Sequence, residues 1–166
     1  MINTGDGKGK STAAFGVMVR ALARGWSVAV VQFIKSGDWK VGEEKLGREL
    51  GVDWHAFGDG FTWDTQDRQR DLAAAARAWE TAKEMMADPS YRMVILDELN
   101  IVLRYGYLPL AEVLEALKSK SRDLHVVVTG RNAAEELIEI ADLVTEMTQV
   151  KHPFRSGVKA QVGVEF

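Results

Sequence analysis

The 166-residue sequence predicts an α/β fold with a mainly parallel sheet. Three observations predict it: short apolar runs rich in β-branched residues, amphipathic helical patterns between those runs, and a glycine-rich loop that opens the first helix.

The elements follow in chain order. Only Met1 to Asn3 precede the glycine loop, whereas an ordinary strand has about five or six residues; the first strand is therefore either very short or cut by the start of the sequence. Lys10 to Ala23 reads as a helix that stops near Gly25. The apolar runs Val28 to Ile34, Met93 to Leu96, and His125 to Val128 with its neighbour Leu124 read as strands buried on both faces, as in parallel sheets. Val52 to Ala56, Leu143 to Met147 and Val162 to Phe166 are weaker strand candidates. From Gln66 to Ala87, the residues Leu72, Ala76, Trp79, Lys83 and Met86 recur at helical steps and mark one face. Asp64 or Thr65 suits the start of that helix, and Asp88-Pro89 ends it. Leu110, Val113, Leu114 and Leu117 form a second stripe after Pro109, and Ala134, Leu137, Ile138 and Ala141 a third.

Composition narrows the classes. The length fits one compact domain, taken as residues 1–166, and the 46% apolar content is ordinary for a globular protein. No apolar run is long enough to cross a membrane, and the polar, glycine-rich N-terminus is not a secretory signal. The absence of cysteine excludes disulfides and thiolate metal sites and fits a cytoplasmic location. A net charge of −3 argues against non-specific nucleic-acid binding. Five tryptophans in 166 residues is a high count, to be divided between core packing and surface positions open to a ligand.

The stretch Thr4-Gly5-Asp6-Gly7-Lys8-Gly9-Lys10-Ser11-Thr12 ends as a phosphate-binding loop ends, in Gly-Lys-Ser, but threonine stands at the place of the first glycine. Glycines at 5, 7 and 9 let the backbone curl so that successive N–H groups face an anion, and the following helix adds its positive end. Gly5, Asp6, Gly7, Lys8, Gly9, Lys10, Ser11 and Thr12 are therefore the expected nucleotide-binding residues. Lys10 would neutralise phosphate charge, and Ser11 would offer its hydroxyl to magnesium. With the α/β pattern, this predicts a single-domain, three-layer P-loop (RecA-like) fold binding ATP with Mg2+.

In such sheets ligands sit beyond the carboxyl ends of the strands. Met93 to Leu96 ends in Asp97-Glu98, which in phosphate-loop proteins places a carboxylate beside the metal. Ser11, Asp97 and Glu98 are the candidate metal residues, and the pair leaves open which carboxylate ligates. Leu124 to Val128 ends in Thr129-Gly130-Arg131, which puts Arg131 at the same sheet edge, either as a plain surface arginine or as a partner for phosphate oxygens. Phe57-Gly58-Asp59-Gly60-Phe61-Thr62-Trp63-Asp64 sets two large aromatics on a glycine-flexed loop, suited either to plugging the core or to a flat apolar ligand. His55, His125 and His152 are scattered and form no catalytic arrangement. The loop identifies the group held, not the bond broken. Kinases and NTPases cleave at phosphorus, whereas an alkyl transfer cleaves at the ribose C5′.

Taken together, these motifs resemble the ATP:cob(I)alamin (corrinoid) adenosyltransferases with a modified phosphate loop. The matching stretches are Thr4 to Gly16, Val31-Gln-Phe-Ile-Lys35, Gly60 to Gln66, Leu96-Asp-Glu-Leu-Asn100, Val128-Thr-Gly-Arg131 and Lys151-His-Pro-Phe154 with Gly157, Lys159, Ala160-Gln161 and Gly163. They occur in family order along nearly the whole chain, and threonine at the first loop position is the family's own form. The resemblance implies attack of corrinoid Co(I) on C5′ of ATP with expulsion of triphosphate. It also implies a nucleotide lying in reversed direction along the loop, Lys10 and Arg131 as catalytic residues, a reduced flavoprotein as electron donor, and a homodimer. It further implies that Phe61 and Trp63 contact the lower face of the corrin, displace the lower ligand and ease reduction of cobalt. Longer family members carry a segment ahead of the loop that helps cover the corrinoid.

Overall fold

The structure is a computed structural model, and it describes residues 1–36, 42–58 and 68–164. Six strands form one parallel sheet: β1 (Ile2–Thr4), β2 (Val28–Ser36), β3 (Asp53–Gly58), β4 (Met93–Asp97), β5 (His125–Thr129) and β6 (Val144–Glu146), in the order β3-β2-β4-β5-β1-β6. The helices are α1 (Lys10–Leu22), α2 (Gly42–Glu49), α3 (Arg68–Ala87), α4 (Leu99–Arg104), α5 (Leu110–Ser119) and α6 (Glu135–Glu139), followed by a single 3-10 turn at Pro153–Ser156.

The apolar runs are uninterrupted because both faces of the sheet are covered. Val28 and Val30 of β2, Met93 and Ile95 of β4, and Val127 of β5 pack with Ala14, Phe15 and Met18 of α1. Their alternates Ala29, Val31, Val94, Leu96, Val126 and Val128 face the opposite core, built with α3, α4, α5 and α6. The result is three layers. The first strand is indeed short, yet it is not marginal: β1 is inserted between β5 and β6, so it is paired along both edges.

Three details differ from the sequence expectations. The buried face of α3 is Ala75, Ala78, Trp79, Ala82 and Met86, while Ala76 points to solvent. An alanine-rich helix carries little amphipathic mark, and here the small side chains bring the helix close to β2 and β3. Gln66 and the expected cap at Asp64 or Thr65 lie outside the described residues. Of the expected strand Val162 to Phe166, residues 162–164 form a turn with Val162 and Val164 exposed, and the last two residues lie outside the described ones. Valine propensity does not suffice there, because it expresses packing against neighbouring strands and both valines stand exposed in a turn. Helices α2 and α4 carry no long periodic stripe, and both are short. Among the described residues no helix is long and apolar enough to cross a membrane.

Candidate nucleotide-binding site

The apolar rows of the sheet give way to a polar row at the carboxyl ends of four strands. In register, Gln32 of β2 lies opposite Asp97 of β4, and Asn3 of β1 lies opposite Thr129 of β5. Gln32, Asp97 and Thr129 are all buried. Such groups are tolerable in a core only when hydrogen-bonded. Here Trp54 Nε1 donates to Gln32 Oε1 (2.9 Å), and Gln32 Nε2 donates to Asp97 Oδ2 (2.9 Å). Thr129 Oγ1 donates to Asp97 Oδ1 (2.8 Å) and accepts from the Glu98 N–H (2.9 Å). Asp97 is thus gripped through both carboxylate oxygens, with its side chain oriented by neighbours on either strand. Glu98, the residue that starts α4, takes the left-handed conformation (φ 64°), rare for a side chain other than glycine, and is only half-buried.

The glycine loop lies directly above this row, against the segment that leaves β6. Gly7 N donates to Met147 O (2.7 Å), and Met147 N donates to Thr4 O (2.8 Å). A Cβ added at Gly7 would sit 2.7 Å from Thr148 O, and one at Gly5 would sit 2.7 Å from Met147 N. Gly5 and Gly9 also hold positive φ (93° and 108°). The glycines therefore serve both backbone conformation and close approach. Thr4, the departure from the usual loop, is buried, and its hydroxyl accepts from the Ala133 N–H (3.1 Å). The extra side chain ties the loop to the connection after β5, which a glycine could not do.

Helix α1 begins at Lys10 with no acidic residue in its own first turn, so its positive end faces the loop. Ser11 is half-buried, and Asp6, Lys8 and Thr12 are exposed at this rim. Lys10 is only 7% exposed, and its ammonium donates to the Gly7 carbonyl. Burial, together with the positive charge of Arg131, lowers the Lys10 pKa; Glu98 and Asp6 act in the opposite sense. Lys10, at the start of α1, therefore feels the charges of Arg131, Glu98 and Asp6. Desolvated cations beside a helix N-terminus bind anions strongly, because little water is displaced when a phosphate arrives.

The expected nucleotide residues lie on one loop and the start of α1, and the Asp97-Glu98 pair at the end of β4. Phe61 and Trp63 lie outside the described residues. Of the tryptophans, Trp54 and Trp79 are core residues and Trp26 is half-buried. Among the described residues no group of three or more His, Cys, Asp or Glu side chains is arranged to hold a metal. Ser11, Asp97 and Glu98 offer hard oxygen donors, which suits magnesium: it uses one or two protein ligands and completes its shell with phosphate and water. Sequence reasoning assigned no part to Gln32, Trp54, Thr129 or Met147. A polar residue inside an apolar strand, as Gln32 is in Val28 to Ile34, is the signal that finds the first of them.

A family profile described as ATP:corrinoid adenosyltransferase BtuR/CobO/CobP matches residues 1–166. A corrinoid adenosyltransferase from a Sinorhizobium species is 56% identical over 170 residues, covering all of this chain and 79% of the relative. Its counterpart in Pseudomonas aeruginosa is 53% identical over 168 residues, covering all of the chain and 82% of the relative. That of Escherichia coli K12 is 48% identical over 166 residues, with 100% and 84% covered. A glycine loop opening on the buried Thr4, a buried Asp97 at the end of β4 and a family match along residues 1–166 lead to one conclusion: the chain belongs to the ATP:corrinoid adenosyltransferase family.

Proposed function

We propose that residues 1–166 act as a single nucleotide-binding domain that transfers the 5′-deoxyadenosyl group of ATP to the Co(I) of a reduced corrinoid, releasing inorganic triphosphate. The observation that carries this reading is the buried Lys10 at the start of α1, held against the Gly7 carbonyl within the Thr4 to Thr12 loop, in a chain of this family.

The chemistry suits what the site offers. The electron pair on Co(I) forms the cobalt–carbon bond to C5′, and the C5′–O5′ bond breaks with its electrons leaving on triphosphate. A nucleophile of this strength needs no general base. The protein's contribution is alignment of the two substrates and stabilisation of charge on the leaving group. The loop N–H groups between Gly5 and Thr12, apart from that of Gly7, which is bonded to Met147 O, hold the phosphates with the Lys10 ammonium, and Arg131 pairs with their oxygens. Ser11 with Asp97 or Glu98 holds Mg2+, which supplies further neutralisation of phosphate charge. Glu98, half-buried and facing Gly130, is the more accessible carboxylate, while Asp97 has both oxygens engaged by Gln32 and Thr129. Phe61 and Trp63 press on the lower face of the corrin, which removes the lower ligand and eases formation of Co(I). We place the enzyme in the cytoplasm as a homodimer supplied by a reduced flavoprotein, in adenosylcobalamin synthesis or salvage.

Incubation with ATP, Mg2+ and chemically reduced cobalamin tests the reading. Triphosphate together with a light-sensitive adenosylated corrinoid is the expected outcome. ADP and phosphate without a corrinoid product would instead identify an NTPase, and tight binding without turnover a carrier.

A further inference from the structure

The geometry points to Asn100 as a positioning residue that aims Arg131 at the triphosphate, acting through the carbonyl of Gly130; this rests on Arg131 being a phosphate contact. Asn100 is the second residue of α4, 1% exposed, and its Nδ2 donates to Gly130 O (2.9 Å) across 30 residues of sequence. The accepting oxygen belongs to the peptide whose nitrogen is that of Arg131. Because a peptide unit is planar, holding that oxygen fixes the direction in which the chain enters Arg131.

The same short stretch is otherwise poorly held by regular structure. Gly130 has φ 125°, and Asn132 has φ 53°, so the backbone on both sides of Arg131 takes conformations that side chains disfavour. Gly130 is also pressed against α4: a Cβ there would lie 2.9 Å from Asn100 Cβ and 3.2 Å from Glu98 Oε2. Contact this close transmits any change at Asn100 directly to the Gly130 peptide. Arg131 itself is exposed and has no core packing to orient it, yet its charge acts on Lys10 across the site.

The other end of the Asn100 amide argues that stability alone did not select it. Oδ1 is buried without a hydrogen-bond partner among the described residues. An apolar side chain of similar shape would avoid that orphaned acceptor. What only the amide supplies is the donated bond to Gly130 O. Donation through Nδ2 also settles which way the amide is turned.

A double-mutant cycle tests this, with Asn100→Leu and Arg131→Ala made singly and together in the full chain. The assay starts from pre-reduced Co(I) cobalamin and follows triphosphate release, with thermal unfolding measured alongside. Asn100→Leu is expected to lower kcat/KM for ATP by roughly tenfold, leave KM for cobalamin within about twofold, and cause no further loss once Arg131 is alanine. Equal proportional losses in both backgrounds would overturn the inference while leaving Arg131 as a phosphate contact. Full activity of Asn100→Leu in the parent would overturn it as well. Full activity of Arg131→Ala would overturn both the inference and the reading on which it rests. Should the leucine variant fail to fold, Asn100→Ser is one atom too short to reach Gly130 O and serves in the same cycle.

Discussion

Thr129→Val probes the polar row on which the site stands. The two side chains have nearly the same shape, and Thr129 is fully buried, so the change opens no cavity. It removes the bond donated to Asp97 Oδ1 at 2.8 Å and the acceptor for the Glu98 N–H at 2.9 Å. A hydrogen bond to a charged partner contributes about 1.5–3 kcal/mol, and one between neutral groups about 0.5–1.5 kcal/mol. The expected loss of stability is therefore about 2–4 kcal/mol, which for a chain of this size lowers Tm by roughly 5–15 °C. Urea unfolding followed by tryptophan fluorescence measures it directly, since Trp54 sits in the same network. An unchanged slope against urea would show that the native and unfolded ensembles keep their extent. A loss below about 0.5 kcal/mol would refute the view that Thr129 is a principal holder of Asp97, because that is the range of ordinary substitutions away from such features.

Other perturbations separate the roles of the remaining groups. Lys10→Ala is expected to lower kcat/KM for ATP by roughly a hundredfold or more, as loss of a desolvated charge facing the phosphates should, while unfolding free energy changes little because relief of ammonium burial offsets the lost Gly7 contact; unchanged kinetics would remove Lys10 from the site. The lowered pKa of Lys10 predicts that kcat/KM for ATP falls on an alkaline limb below the ordinary lysine value of 10.5, since that parameter reports the free enzyme. Arg131→Ala removes a like charge and should move that limb to higher pH; a limb that stays in place or moves down contradicts the pairing. Stability has the opposite sign: the unfolded chain holds the Lys10 proton more firmly, so stability rises as pH climbs from the lowered value toward 10.5. Phe61→Ala or Trp63→Ala should impair reaction from Co(II) more than reaction from preformed Co(I), and equal losses in the two assays would count against a role in removing the lower ligand.

The sequence by itself determined the parts of this protein that depend on neighbours along the chain. Val28 to Ile34, Met93 to Leu96 and His125 to Val128 read as buried strands because no residue in them could tolerate water on either face except Gln32, His125 aside at its exposed start. The glycine loop, Lys10 and the Asp97-Glu98 pair were legible because phosphate binding needs those residue types at fixed local spacing. Tertiary structure decided what depends on partners far away in the chain. Whether Ala75 or Ala76 faces the core was set by the sheet beneath α3, and residues 162–164 form an exposed turn, which valine propensity alone does not reveal. Thr4 looked like a flaw in the loop until Ala133, far along the chain, supplied the N–H that its hydroxyl accepts. Asp97 could be named from sequence, but its grip by Gln32 and Thr129 follows from three strands meeting in register, and register is a property of pairing that no local pattern contains.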